Sequence, residues 1–436
     1  MDEHTTKKPD VLVSAVLPGN VIVETVCDPS TRETAFLVSH DGRVEHQAMF
    51  DHDGKRFRPI RHTNNLLRHD AIRFASGATG PGDATTLLYE IERYLAAYVS
   101  LVPDARRLAA AYVLLTWVYD AFRELPYLRF RGEYGTGKTR ALLVVGSIAY
   151  KPFFASGAST VSPIFHTLDT FRGTLIFDEA DFRFSDEKAE LVKILNNGNA
   201  NGFPVLRTRV TDRREFDPQA FVVFGPKIVG MRHTYEDRAL ESRFLSIDML
   251  PGQRGEAPLN LPLSQEADAL DLRNKLLRYR FQNRLRVALD TSLADPLLEA
   301  RTNQILLPLL SVVSDVDVRR SIRAIATARE AVIHADRGFS TEGRLIAVLA
   351  SRAADRLPLR DLATAFADAH GTDYDRAITS RHVGTILRRM GLRIYKSDGV
   401  YVLGPGQQSL IAALVARYGV GGDSAGNTVE SERPGT

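Results

Sequence analysis

The stretch 127–149 most constrains what this chain can fold into. A short alternating run, Tyr127-Leu128-Arg129-Phe130-Arg131, enters Gly132-Glu133-Tyr134-Gly135-Thr136-Gly137-Lys138-Thr139 and leaves through Arg140-Ala141-Leu142-Leu143-Val144-Val145. The middle part fits G-x-x-x-x-G-K-[ST]. Strand, glycine-rich loop and helix in that order make a cradle for phosphate. The glycines let backbone N–H groups turn inward, and the helix start adds its positive dipole end. Lys138 is expected to neutralise phosphate charge and the Thr139 hydroxyl to sit on Mg2+. Residues Gly132 to Thr139, with Arg140 next on the helix, are the expected contacts to the phosphates.

A second stretch carries the matching chemistry. Thr174-Leu175-Ile176-Phe177 is apolar and ends in Asp178-Glu179-Ala180-Asp181. A buried parallel strand delivers its last residues to the crevice where ligands bind. Asp178 is expected to hold Mg2+ through water, and Glu179 to take a proton from an attacking water. Helices are expected at 84–102 and 103–122, and a short strand at 151–156. Ser162-Pro163 reads as an N-cap and first helical position, opening a helix to Phe171. A helix at 185–196 leads to a hairpin or long loop with Arg207, Arg209, Arg213 and Arg214. Ala220–Phe224 reads as the next buried strand, closed by Gly225-Pro226-Lys227, and a short helix and a strand at 243–250 follow. This alternation predicts an α/β fold over 84–250, a parallel sheet with helices on both faces.

The flanks read differently. Residues 1–76 hold short strand-like runs separated by turns such as Asp41-Gly42 and Asp53-Gly54, a small β-rich module. Helices are expected over 264–338. Residues 340–404 show helix patterns and then Ile394-Tyr395-Lys396, Ser397-Asp398-Gly399 and Val400-Tyr401-Val402-Leu403, a hairpin with an Asp-Gly turn. That is a winged helix-turn-helix layout. Arg381, His382, Thr385, Arg388 and Arg389 lie on its third helix and Lys396 on the wing side, a distribution suited to DNA phosphates. Residues 418–436 read as disordered. No apolar run reaches membrane-spanning length, and Met1-Asp2-Glu3-His4 carries no apolar signal core, so a cytoplasmic protein is expected. Cys27 is the single cysteine, which excludes an internal disulfide framework and a cysteine zinc cluster. Net charge is only +3, so DNA binding has to come from local basic surfaces.

The two nucleotide motifs together resemble those of the AAA+ ATPases. The resemblance implies a parallel-sheet P-loop AAA+ core with a helical lid, ATP and Mg2+ as ligands, and a homo-oligomeric ring, such as a hexamer, with ATP at each interface. Ala239-Leu240-Glu241-Ser242-Arg243-Phe244 resembles that family's arginine-finger region, with Arg243 the first candidate and Arg238 the second. A finger has to reach a neighbour's γ-phosphate. Over about 84–315 the chain resembles helicase-like ATPases of phages, plasmids and integrated elements, related to the helicase halves of primase–helicases. The carrying residues are Pro126-Tyr127-Leu128 after a buried helix, Thr174–Asp181, Leu195-Asn196-Asn197-Gly198, and Arg301 through Pro308-Leu309-Leu310. By that resemblance Arg301 is a nucleotide-sensing lid arginine, and the arginines from Arg207 to Arg214 line a pore and grip a DNA backbone. The residue that usually orients water after the fourth strand is missing; Lys227 or Asn196 is expected to substitute, or the sensor is absent. The N-terminal residues are too few for a primase. Asp178-Glu179-Ala180-Asp181 spells the DEAD box, but a chain that turns helical after Leu250 lacks the second sheet domain such RNA helicases need.

The expected function is an ATP-hydrolysing motor on single- or double-stranded DNA, a ring-forming helicase or replication-initiation ATPase of a mobile element. The alternative is a nucleotide-gated switch that binds DNA or protein, as a loader or defence ATPase, without unwinding. A winged-helix regulator with a vestigial ATPase is a third reading.

Overall fold

Five short apolar runs build the central sheet. Its order is Phe244–Asp248, Tyr127–Arg131, Lys227–Met231, Leu175–Asp178, Phe153–Ser156, and every neighbouring pair is parallel. In chain order that is fifth, first, fourth, third, second. The loop-bearing strand and the acid-ending strand are therefore not neighbours. The computed structural model in which this is seen describes residues 9–178, 186–210, 216–250, 257–352, 356–374 and 378–420.

Alternation along the strands decides what each face meets. Leu128, Phe130, Ile176, Ile228, Leu245 and Ile247 share a core with helices Ala84–Tyr98, Pro103–Val118 and Lys138–Ser147. Tyr127, Leu175, Phe177, Val229, Met231 and Phe244 share a second core with helices Val161–Phe171 and Asp186–Asn197. The expected α/β layering, helices on both faces of a parallel sheet, is thus present.

Three local expectations are corrected. Ala220-Phe221 is not a sheet strand: Phe216–Phe221 pairs antiparallel with Val205–Val210 as a hairpin. The core strand begins at Lys227, where the sequence reading ended it. Thr160, not Ser162, is the N-cap of the following helix, which leaves Pro163 in the first turn, where its missing N–H costs no helical bond. A helix at Gln408–Tyr418 follows the hairpin, in a stretch to which the sequence reading assigns no element.

The chain divides into two compact units, Met1–Ala326 and Thr327–Thr436. In the first, the N-terminal strands form a four-stranded antiparallel sheet (Ser14–Leu17, Val21–Cys27, Thr34–His40, Arg43–Gln47) and a smaller three-stranded one. Asp41 (φ 48°) and Gly42 (φ 84°) take the left-handed geometry that a tight hairpin turn needs. Helix Ser264–Asn283 serves this unit as a strut. Arg273 donates to Phe74 O (3.1 Å), Ser147 O (2.7 Å) and Glu266 (2.9 Å). Asn274 Oδ1 accepts from the N–H of Ser76 (2.8 Å) and of Gly77 (3.1 Å). Arg280 donates to Glu24 (2.7 Å), to Trp117 O (2.7 Å) and, with two nitrogens, to Asp120 (2.9 and 3.0 Å). Glu24 also accepts from Tyr150 Oη (2.7 Å) and pairs with Lys151 (3.1 Å). Burial pushes the Lys151 ammonium down to about 8 although Glu24 pulls the other way.

In the second unit, helices Thr341–Ala350, Leu359–His370 and Ser380–Arg389 share one core with the hairpin Ile394–Ser397/Val400–Leu403 and the helix Gln408–Tyr418. Asp398 (φ 51°) and Gly399 (φ 80°) close the hairpin. Leu403 N–H donates to Leu357 O at 2.9 Å, joining the hairpin to the segment before the second helix. Among the described residues, no helix is long and apolar enough to cross a membrane.

Glu24 is only 1% exposed and faces two cations, so Glu24→Gln strands Arg280 and Lys151 with one partner fewer. Removing one member of such a buried pair costs about 3–5 kcal/mol. Chemical denaturation of the full chain is expected to show that loss, together with looser protease protection of both residues 10–60 and the 264–283 helix.

Candidate functional site

The loop from Gly132 to Thr139 turns at the C-terminal end of the first core strand. Gly135 (φ 73°) and Gly137 (φ 92°) adopt the left-handed geometry that side-chain-bearing residues avoid. A Cβ on Gly132 would lie 2.5 Å from Met249 O and 2.8 Å from Thr136 Oγ1, so that position is closed to any larger residue. Gly137 caps helix Lys138–Ser147, whose ladder opens with Ala141 N–H donating to Gly137 O at 2.9 Å. The N–H groups of Lys138, Thr139 and Arg140 lie ahead of that ladder, at the positive end of the helix dipole. Lys138 Nζ donates to Gly132 O (2.6 Å) and Glu133 O (2.7 Å), so its ammonium sits inside the loop.

Thr139 Oγ1 donates to Asp178 Oδ2 at 2.7 Å. This contact joins two stretches remote in sequence and puts a hydroxyl and a carboxylate at one point. Both are hard oxygen donors, the set that suits Mg2+ when phosphates and water complete its octahedron. A Cβ on Gly230 would meet Asp178 Oδ1 at 2.9 Å, so glycine on the intervening strand leaves room for that carboxylate. Glu179 lies outside the described residues. Arg140 departs from its expected role through its side chain, because the guanidinium bonds the carbonyls of Pro258 and Leu259.

The opposite edge of the sheet gathers other residues. Phe244 pairs with Tyr127 and Asp248 with Arg131, so the start of each strand lies about 13 Å from the loop edge. Lys227, at the start of its strand, is fully buried and donates to the carbonyls of Val223 (2.9 Å), Gly225 (3.0 Å) and Gly198 (3.2 Å). It is no water-orienting sensor but a staple under the hairpin. Asn196 bonds Asp237 (3.2 Å) and Arg243 at that same edge, and is no sensor either. Arg301 reaches Ser242 (3.4 Å) and Gln304 (2.5 Å), so it cannot read a nucleotide on its own chain's loop. Arg243 is half-buried beside it, its pKa pushed down by desolvation and then by the Arg301 charge. Arg238 opens the short helix Arg238–Glu241 nearby.

The strand correction exposes a residue the sequence reading missed. Lys227–Met231 runs between the loop strand and the Asp178 strand, so Arg232 emerges at the site. Its guanidinium lies 4.0 Å from the Tyr134 ring centroid. The alternating run Ile228-Val229-Gly230-Met231 was the available signal.

Of the hairpin arginines, Arg207 pairs with Glu190 and lies 5.2 Å from the Phe165 ring. The Arg209 side chain, and Arg213 and Arg214 entirely, fall outside the described residues. In the second unit Val383, Gly384, Ile386 and Leu387 are buried, leaving Arg381, His382, Thr385, Arg388 and Arg389 on the exposed face of their helix. Arg389 pairs with Glu342 (2.9 Å), Arg388 lies over Tyr401 (5.9 Å), and Lys396 is exposed on the hairpin.

No protein-family profile matches the chain, and no curated protein matches it. Similar solved structures include helicases. The apo C-terminal region of NrS-1 is 12% identical with a TM-score of 0.38, over 87% of this chain and 95% of that one. SCCmec type IV Cch, described as an active helicase, is 12% identical with a TM-score of 0.36, over 92% and 95%. ORC1 of Aeropyrum pernix in complex with DNA is 14% identical with a TM-score of 0.22, over 74% and 96%.

Burial pushes the Lys227 ammonium from 10.5 down to about 7. Between those values the unfolded chain binds more protons at this lysine than the folded one, so its contribution makes stability rise with pH there. Denaturation midpoints of the full chain at pH 7 and pH 9 are expected to differ in that sense. Lys227→Met is expected to remove that part of the difference.

Proposed function

We propose that this chain is an ATP-hydrolysing enzyme that acts on DNA, as a ring-forming helicase or replication-initiation ATPase of a mobile element. The observation that carries the nucleotide part is the 2.7 Å contact of Thr139 with Asp178 beside a glycine-built loop and a helix N-terminus. A triphosphate would lie along the loop, held by its inward N–H groups and by Lys138 turned from its carbonyls onto phosphate. Thr139 and Asp178 would hold Mg2+, which neutralises developing phosphate charge. Glu179, directly after Asp178, would take the proton of the attacking water. Arg243, or Arg238 in its place, lies at the far edge, where only another subunit's nucleotide is within reach. That placement suits a ring in which each subunit completes its neighbour's site. There Arg301 would support Arg243 rather than sense its own chain's nucleotide.

DNA contact is assigned to the exposed arginines of Ser380–Arg389 with Lys396 on the adjoining hairpin, read as a winged helix. The hairpin with Arg207, Arg209, Arg213 and Arg214 is assigned to a strand backbone in the ring's pore.

Lys138→Ala is expected to abolish ATP binding and hydrolysis. Glu179→Gln should bind ATP normally and lose hydrolysis by about a hundredfold or more. If the parent unwinds DNA and Glu179→Gln only holds it, the protein is a motor. A parent that hydrolyses ATP and never unwinds is a nucleotide-gated switch, and a parent with no affinity for MgATP overturns the proposal.

DNA affinity measured against salt tests the second unit. Arg381→Ala and Arg388→Ala are each expected to lower the log–log salt slope by about 0.9, with ATP binding intact. Unchanged slopes would move the DNA surface elsewhere.

A further inference from the structure

Segment 257–263 carries two leucines that the protein's own core does not use. It leads into helix Ser264–Asn283. Leu261 packs on the core beneath, whereas Leu259 is 85% exposed and Leu263 is 99% exposed. A single exposed leucine is ordinary on a protein surface. Two on one short segment are less so, and this segment is held in place. Arg140, next after Thr139, clasps the carbonyls of Pro258 and Leu259. Pro258 and Pro262 fix the backbone at two further points. The segment is therefore a stiff strap that presents both leucines beside the phosphate loop. The opposite edge of the sheet carries a cavity of about 790 Å3, walled by Phe122, Leu289, Ala300, Leu307 and Pro308. Leu289 is half-exposed, so the cavity opens to the surface. Arg301 lies in the same wall and reaches Ser242, so the cavity borders Arg243. Arg123, exposed beside it, has no side-chain partner among the described residues.

We propose that this cavity takes the strap of a second copy of the chain, with Leu259 and Leu263 as the inserted side chains. The inference rests on the ring reading above and deepens it by naming the surfaces that join neighbours. For Arg243 to reach a neighbour's nucleotide, the cavity edge of one subunit has to face the loop edge of the next. That places the cavity opposite the strap. The contact is heterologous, since each copy gives a strap on one side and a cavity on the other. Charge agrees with this pairing: Arg123, Arg243 and Arg301 gather at one edge, and bound phosphates make the other negative. Leucines leaving water for apolar walls drive the association. A strap already fixed by Arg140 and its prolines loses little freedom on docking. Because Arg140 directly follows Thr139, the docking segment is anchored to the helix start that holds the phosphates.

Sedimentation of the full chain with Mg2+ and a non-hydrolysable ATP analogue tests this. Leu259→Asp with Leu263→Asp makes the strap variant, and Ala300→Trp the cavity variant. Each is expected to raise the concentration for half-assembly by about tenfold or more. At concentrations too low for assembly, both should bind the analogue within about twofold of the parent. Mixing the two variants leaves one intact strap–cavity pair between unlike subunits, so the mixture is expected to form dimers where neither variant alone does. In a Cys27→Ser background, Leu263→Cys and Ala300→Cys should be joined by a short bis-maleimide only when mixed. Thermal melting identifies a variant that fails to fold, and the cross-link then carries the comparison. A strap variant that assembles like the parent, or a mixture of cysteine variants that gives no cross-link, overturns the assignment while leaving the ring in place. So does a cross-link formed by either cysteine variant alone. A parent that stays monomeric overturns the assignment and the ring reading together.

Discussion

A buried positive charge, that of Arg280, sets the terms on which the first unit folds. Its guanidinium is 2% exposed, and it meets Glu24 from the N-terminal sheet, Asp120 from the turn just past helix Pro103–Val118, and the Trp117 carbonyl. Taking such a charge out of water is expensive, and only a complete set of partners offsets it. The partners come from segments far apart in the chain, so the network is complete only when all of them are in place. Tyr150 and Lys151, just past the loop helix, join through Glu24. The N-terminal strands, the helix pair and the strut are thereby tied to the layer that carries the phosphate loop.

The same layer explains how the site is positioned. The loop hangs from a strand whose Arg129, 2% exposed, is clasped by Glu241 (2.7 Å) and Ser246 (2.9 Å). The Asp178 carboxylate arrives from a strand two places away, and the strand between is narrow at Gly230. The Thr139–Asp178 contact needs no specialised connector. It follows from parallel strands whose C-terminal ends finish at one edge, the common location of ligand sites in open α/β sheets.

Local signals made much of this legible beforehand. The loop pattern, the apolar run into Asp178 and the helix boundaries are short-range features written in consecutive residues. The order of strands across the sheet is not. Ala220–Phe224 is the more apolar run and reads as the sheet strand, yet Phe221 pairs with Val205 in a hairpin and Lys227–Met231 takes the place in the sheet. Two consequences follow from that slip. Lys227 and Asn196 looked like sensors although they lie at the wrong edge, and Arg232 was not singled out. Arg301 was misplaced for a similar reason: its role came from motif order, which does not say to which end of the strands a later helix returns. The Glu24–Arg280 network was out of reach as well, because no local pattern pairs residues so far apart.

The strut also bears on how a chain like this can be assembled from older parts. Its first unit looks modular in sequence, with a Gly-Pro linker at 77–82 separating strands from helices. The ion network crosses that linker, and so do the Asn274 bonds to Ser76 and Gly77. A recombination event that exchanged the first segment alone would bring in a sheet lacking a carboxylate at the place of Glu24. Domain shuffling at this junction is thereby barred unless the strut helix travels with the strands, so the two are expected to have been inherited together.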